Sequence, residues 1–235
     1  MERLATQAAG FGLHLGATQL EQFAVYQALL LEWNERINLT AIQEPALIQE
    51  RHFLDSLTCA TVTGDLNGQS LIDVGAGAGF PGLPLKILYP QLRLALVESV
   101  QKKARFLESV VAELGVADVD VIAERAEVLG QQVAHRSQYD WAVARAVAPM
   151  RVLAEYLLPF CRVGGHVLAQ KGKNAASETA AARGAIVELG GAEPQLRPVQ
   201  LPHVLETRYL VVVEKVKETP SRYPRRAGIP AKRPL

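Results

Sequence analysis

The chain has 235 residues, 49% of them apolar, and a formal net charge of +1. This suits one large domain, or one domain with an appendage, and excludes disorder over most of its length. No apolar run reaches the about 20 residues a membrane helix needs, and Glu2, Thr6 and Gln7 interrupt the place of a signal peptide's apolar stretch, so a soluble cytoplasmic protein is expected.

The only cysteines, Cys59 and Cys161, lie in apolar surroundings and suggest neither a disulfide framework nor a zinc site. Charge is unevenly spread. From Lys215 onward seven basic residues face one acid, Glu218, which leaves 18 basic and 23 acidic side chains in the rest. A mildly acidic body with a basic tail is a footprint of polyanion binding, set against a tail that is merely solvated.

In chain order, residues 18–40 read as a long amphipathic helix, with Thr18 and Glu21 at capping-box spacing. A second helical stretch begins at Pro45 and runs to about residue 61. Within it Arg51 and Asp55, at i,i+4, read as an ordinary surface pair. No strand-like run precedes residue 70.

The pattern then changes to short apolar runs at 70–74, 92–98, 119–124, 141–146 and 165–170, separated by segments of helical length. Such alternation indicates parallel strands joined by right-handed crossovers, an α/β fold. Two further strands, about 194–202 and 207–216, read as an antiparallel hairpin at one edge. Cys161, in "LLPFCRVGG", reads as the buried end of a helix. The organisation expected is a helical extension over 1–66, an α/β domain over 67–217 and an extended, proline-rich basic tail over 218–235. An alternative folds the tail's prolines and Tyr223 back to shape a substrate cleft.

After the first strand stands "DVGAGAGFPG" (73–82). A glycine loop there lies at the carboxyl edge of the sheet, where bare backbone and a helix N-terminus can approach a nucleotide. Two registers compete. Gly77, Gly79 and Gly82 match the dinucleotide fingerprint. Asp73, Gly75, Gly77 and Gly79 match the loop of S-adenosylmethionine-dependent methyltransferases, and Gly75 follows the strand directly. Asp73 is expected to attract the ammonium of a methionine moiety.

Glu98, ending the second strand, is placed to accept from both ribose hydroxyls, with Ser99 and Val100 bordering ribose and adenine. After the third strand, Ala126 offers its backbone and Glu127 its carboxylate to an adenine amino group. The fourth strand ends in "VARAVAP", without an Asn/Asp-Pro-Pro-Tyr motif, and no exposed cysteine nucleophile lies beside it. An acceptor that already bears a lone pair, such as guanine N7, fits that exit. Arg145 is a candidate for a purine's Hoogsteen edge, a phosphate or the cofactor, against a structural pairing with Asp140 or Glu127.

Together "EWNERINLT", "RHFLDSL", "DVGAGAGFPGLPLKI", "LVESVQKKARFL", "ERAE", "ARAVAPM", "QKGK" and "YPRRAGIPAKRPL" run almost end to end. On them the chain resembles the bacterial ribosomal RNA small-subunit methyltransferase G family, also called glucose-inhibited division protein B. The resemblance implies a class I S-adenosylmethionine-dependent methyltransferase fold, with a mostly parallel seven-stranded sheet. It further implies N7 methylation of a guanosine in the 530 loop of 16S ribosomal RNA, within the small subunit or an assembly intermediate.

Carried over onto matching positions, cofactor contacts fall on Gly75, Phe80, Glu98 and its followers, Ala126, Glu127 and Arg145, with Asp73 and Gly77 from the loop. His52, Lys171, Lys173 and, in the tail, Arg222, Arg225 and Arg226 are candidates for RNA contacts. No catalytic base and no metal are assigned. A nicotinamide-dependent oxidoreductase and a non-catalytic RNA-binding module remain as rival readings.

Overall fold

The computed structural model describes all 235 residues. The amino-terminal segment is helical: α1 (Glu2–Ala9), α2 (Ala17–Asn34), α3 (Pro45–Ile48), a π-helical stretch over Gln49–Leu54, α4 (Asp55–Leu57) and α5 (Ala60–Thr63). Gly16, not Thr18, caps α2, and Gln19 Oε1 accepts the Gly16 N–H at 2.8 Å. The helix stops at Asn34, short of the expected residue 40, because the Asn34 side chain captures the next turn. Its Oδ1 accepts from the Leu39 and Thr40 N–H groups and its Nδ2 donates to Thr40 O.

The π-helical stretch overturns the expected surface pair. Its wider turn rotates Asp55 away from the i,i+4 alignment that an α-helix would give it with Arg51. Asp55 is buried while Arg51 stays exposed.

Seven strands complete the sheet: β1 (Ser70–Val74), β2 (Arg93–Val97), β3 (Val119–Ile122), β4 (Tyr139–Arg145), β5 (Cys161–Lys171), β6 (Gln195–Val199) and β7 (Arg208–Glu214). Their order is β3-β2-β1-β4-β5-β7-β6. The first five pair in parallel, and β7 lies antiparallel between β5 and the edge strand β6. The crossovers carry α6 (Gly82–Leu88), α7 (Gln101–Leu114), α8 (Ala126–Leu129) and α9 (Met150–Leu157), and α10 (Ala175–Glu188) precedes β6. Cys161 is buried as expected but opens β5 instead of ending a helix, and burial pushes its thiol up to about 12. No helix is long and apolar enough to cross a membrane.

Alternation along the strands assigns each side chain to one of two layers. Leu71, Leu94, Leu96, Val143, Leu168 and Leu210 pack against α1, α2, α6 and α7. Ile72, Val74, Ala95, Val97, Ala144, Ala169 and Val211 pack against α8, α9 and α10. The amino-terminal helices thus share one continuous core with a sheet face. Tyr26 is fully buried there, with its hydroxyl donating to Ala78 O and its ring stacked on Phe80 at 5.5 Å.

The tail is not an extended arm. It folds back over the α8–α9 side and ends in α11 (Ile229–Lys232). Arg225 makes a forked ion pair with Glu155, which is fully buried, and Arg222 and Tyr223 converge on Glu188. Arg136 donates to the carbonyls of Thr219, Pro220 and Tyr223.

Candidate active site at the carboxyl edge of the sheet

A cleft of about 780 Å³ opens where the strand order reverses between β1 and β4, the place at which open α/β sheets take ligands. One wall is the glycine loop. Gly75, Gly77 and Gly79 all have positive φ, at 72°, 60° and 94°, which side-chain-bearing residues adopt at a cost. A Cβ on Gly75 would come within 2.7 Å of Val147 Cγ2, and one on Gly79 within 2.5 Å of the Tyr26 hydroxyl. At Gly77 the nearest atom is 3.8 Å away, so that position borders open space.

Glu98 braces the loop from the end of β2. Its Oε2 accepts the Gly77 N–H at 3.0 Å and its Oε1 the Val100 N–H at 2.7 Å. The carboxylate still reaches the cleft wall, with lone pairs left to accept from a ligand's hydroxyls. Ser99 lines the same wall.

Opposite lies a cluster built by sheet parity. Arg145 shares its face with Trp141 and Val143, so it points toward the amino-terminal helices. It pairs there with Asp55 at 3.1 Å, not with Asp140 or Glu127. Asp140 instead binds Arg162 and Ser70. Arg145 also donates to Arg51 O and lies over the Phe80 ring, 4.6 Å from its centroid.

His52 stacks on Phe80 at 4.8 Å. Its Nε2 lies 2.7 Å from the Thr40 hydroxyl and its Nδ1 3.0 Å from Arg51 O. A neutral ring donating from Nδ1 and accepting at Nε2 satisfies both contacts, and Arg145 Nη2, 3.4 Å from Nδ1, then makes no hydrogen bond to the ring. Burial, then the Arg145 charge, lower its pKa to about 4.

The expected site residues separate into two groups. Gly75, Gly77, Phe80, Glu98, Ser99, Arg145, His52 and Lys171 line the cleft; Asp73, Val100, Ala126, Glu127, Lys173, Arg222, Arg225 and Arg226 do not. Asp73 lies beneath the loop, fully buried, because parity turns it toward α6. Its Oδ2 accepts the Gly82 N–H at 2.8 Å, its Oδ1 has no partner, and burial raises its pKa to about 7. In this arrangement it supports the loop from beneath.

Glu127 faces the α8–α9 layer, where its Oε1 accepts the Gly228 N–H of the tail at 2.7 Å. Val100 is exposed outside the cleft. Lys171 points to the α10 side and is held by Glu178 Oε2 at 2.7 Å and by Ala148 O. Arg222 and Arg225 are neutralised by Glu188 and Glu155, and Arg226 and Lys173 are exposed away from the cleft.

Sequence reasoning missed Thr40, Asp55, Lys103, Gln170 and Arg208 in the cleft wall. An acid inside the apolar run "FLDSL" is a signal that Asp55 needs a buried partner. Gln170, in "QKGK", reaches Asp55 O at 2.7 Å through Nε2, while its Oε1 is buried without a partner. Ala146, just beyond β4, adopts a φ of 55°, a strained conformation for a residue with a Cβ.

The carboxylates of the cleft are all engaged: Asp55 by Arg145, Glu98 by two backbone N–H groups, and Glu178 by Lys171 and the Met150 N–H. The imidazole is spent on Thr40 and Arg51 O. On the Arg145 side the site therefore offers positioning and charge, with its carboxylates and imidazole paired within the protein.

Residues 19–202 match the family model of rRNA small subunit methyltransferase G. A protein named ribosomal RNA small subunit methyltransferase G from Roseiflexus sp. (strain RS-1) is 54% identical over 235 residues, 100% of each chain. One of the same name from Alkaliphilus metalliredigens (strain QYMF) is 46% identical over 224 residues, covering 95% of this chain and 94% of its own.

Among solved structures, a predicted O-methyltransferase from Agrobacterium tumefaciens has a TM-score of 0.56 at 17% identity, over 72% of this chain and 81% of that one. A mutant of the 16S rRNA (adenine(1408)-N(1))-methyltransferase from Catenulisporales acidiphilia has a TM-score of 0.53 at 14% identity, over 66% and 88%. At such identities the likeness is one of fold, that of the class I methyltransferases.

Proposed function

The chain belongs to the rRNA small subunit methyltransferase G family, and from that premise we infer that it methylates N7 of a guanosine in the 530 loop of 16S ribosomal RNA, using S-adenosylmethionine. When bound, S-adenosylmethionine supplies an electrophilic methyl group on a sulfonium. The residues present fit it. The loop from Gly75 to Gly79, glycine at every second position, offers backbone close to the cleft, and Glu98 is placed to present a carboxylate to a ribose. Phe80 and Arg145 wall the side on which the acceptor base would enter.

The observation that carries the N7 reading is that the carboxylates and imidazole on the Arg145 side of the cleft are paired within the protein. Guanine N7 bears a lone pair and no proton, so methylating it needs alignment and desolvation, not a base. An exocyclic amine or a hydroxyl would gain from proton removal, yet His52, Asp55 and Glu178 are paired within the protein, and Glu98 is placed at the loop end of the cleft for the cofactor's ribose. Arg145 gives Nη1 to Asp55 and Arg51 O, and its Nη2 retains donors suited to the acceptor-only Hoogsteen edge of guanine.

The oxidoreductase alternative is disfavoured by the family match, which runs the length of the chain. Calorimetry separates the two: binding of S-adenosylmethionine but not NADH is expected, and the reverse contradicts this reading. Transfer of a labelled methyl group to small subunits lacking the modification tests it further and excludes a purely binding role.

A further inference from the structure

Two of the five Arg and Lys side chains that line the cleft are engaged within the protein: Arg145, whose Nη1 donates to Asp55 and Arg51 O, and Lys171, held by Glu178 and Ala148 O. Arg208 is different. It lines the cleft and forms none of the ion pairs. Its Nε is buried with no hydrogen-bond partner. An unpaired buried donor is destabilising unless a ligand accepts from it.

The sheet explains the placement. β7 runs antiparallel to β5, with Lys171 opposite Tyr209, which sets Arg208 beside Gly172. A Cβ on Gly172 would lie 3.7 Å from Arg208 Nη1, so the guanidinium rests over bare backbone. Arg208 shares its sheet face with Leu210, the partner of Gln170, which in turn pairs with Arg145. It therefore stands on the acceptor half of the cleft, away from Glu98 and β2. Arg51 contributes to the same cleft from the amino-terminal helices, exposed and also without an ion pair.

We propose that Arg208, with Arg51 from the facing wall, grips a phosphodiester of the RNA beside the target nucleotide and so presents that nucleotide to the cleft. This rests on the methyl-transfer reading above. A guanidinium offers a planar fork that matches two phosphate oxygens. Such contacts fix register and orientation and carry no sequence information. The other anion available to this fork is the carboxylate of the cofactor's methionine arm, and the test separates the two sources.

Full-length wild type, Arg208→Gln, Arg208→Lys and Arg51→Gln are compared on small subunits lacking the modification, with S-adenosylmethionine affinity measured by calorimetry. Arg208→Gln is expected to raise KM for the subunit at least fivefold with cofactor affinity within twofold. The slope of log K for RNA against log salt should shrink by about 0.7–0.9 for the lost contact. Arg208→Lys should recover part of the KM, keeping the charge without the fork.

Arg51→Gln should shift KM and slope in the same direction; because that residue is exposed, this variant decides the matter if Arg208→Gln does not fold. Unchanged KM and slope in a folded variant overturn the proposal. Lost cofactor affinity with an unchanged RNA slope also overturns it, assigning the fork to the cofactor's carboxylate. A wild type that binds subunits without labelling them contradicts the methyl-transfer reading instead, and the salt slopes still decide the role of Arg208.

Discussion

His52 and Asp73 have pKa values moved in opposite senses by the same cause. Burial disfavours charge, so the imidazolium is destabilised and the carboxylic acid is favoured. His52 in the folded state, near 4, lies below its ordinary 6.5. The stability tied to its neutral form is present above about 6.5 and is lost as pH falls toward 4. In a histidine-resolved NMR titration, its ring should stay neutral through pH 5; a midpoint near 6.5 would contradict the packed, hydrogen-bonded ring.

Asp73, raised to about 7 from 3.8, has the opposite sign. Its contribution is present below about 4 and is lost as pH rises through 7. Asp73→Asn keeps an acceptor for the Gly82 N–H and removes the charge. Relative to wild type, it should gain stability between pH 5 and pH 8, on the order of a few kcal/mol, since each tenfold change in proton affinity is worth ~1.4 kcal/mol. Equal unfolding free-energy differences at the two pH values would show Asp73 to be solvated.

The place of Glu98 in the cleft wall is legible in the sequence because it stands just beyond the carboxyl end of β2. Asp73 is not, because the residue type alone does not say whether a strand-end acid rises into the cleft or turns under the loop. Parity with Leu71 decides that, and it becomes readable only once the layers are known.

At the scale of elements, the glycine loop is the part whose sequence and geometry agree most closely, since three positive φ values demand the glycines that mark it. Gly77→Val should leave the fold largely intact, because its Cβ meets nothing closer than 3.8 Å, yet fill the cleft wall. Cofactor affinity should fall at least tenfold, with a strain cost of about 1–2 kcal/mol. Unchanged affinity in a folded variant would move the cofactor away from this loop.

The central parallel strands β1, β2 and β4 are visible as apolar runs because both their faces are buried. The π-helical stretch leaves no such trace. Its effect, turning Asp55 inward to meet Arg145, is what closes one wall of the cleft.

Across the whole molecule, the tail's composition suggests an extended polyanion-binding arm, and the fold uses it as a strap. Composition registers charge but not the buried acids that await it. Glu155 lies in α9, and its partner Arg225 is far along the chain, so no local pattern joins them. Deleting residues 219–235 would leave Glu155 buried and unpaired, and Glu127 without its Gly228 contact. Breaking a buried pair in this way costs about 3–5 kcal/mol, and Arg225→Ala alone should reproduce most of that loss in chemical denaturation. Stability unchanged by Arg225→Ala would return the tail to the role of a solvated arm.

In the proposed reaction the cleft aligns an acceptor nitrogen which needs no base. The most direct measurement is the position of the methyl group on small subunits lacking the modification, after incubation with enzyme and labelled S-adenosylmethionine. The methylated nucleotide is located by cleavage at N7-alkylated guanines, and the labelled nucleoside is identified chromatographically. One label on N7 of a single 16S guanosine is the expected result; label on an exocyclic amine, on a ribose hydroxyl or on no RNA at all would contradict it.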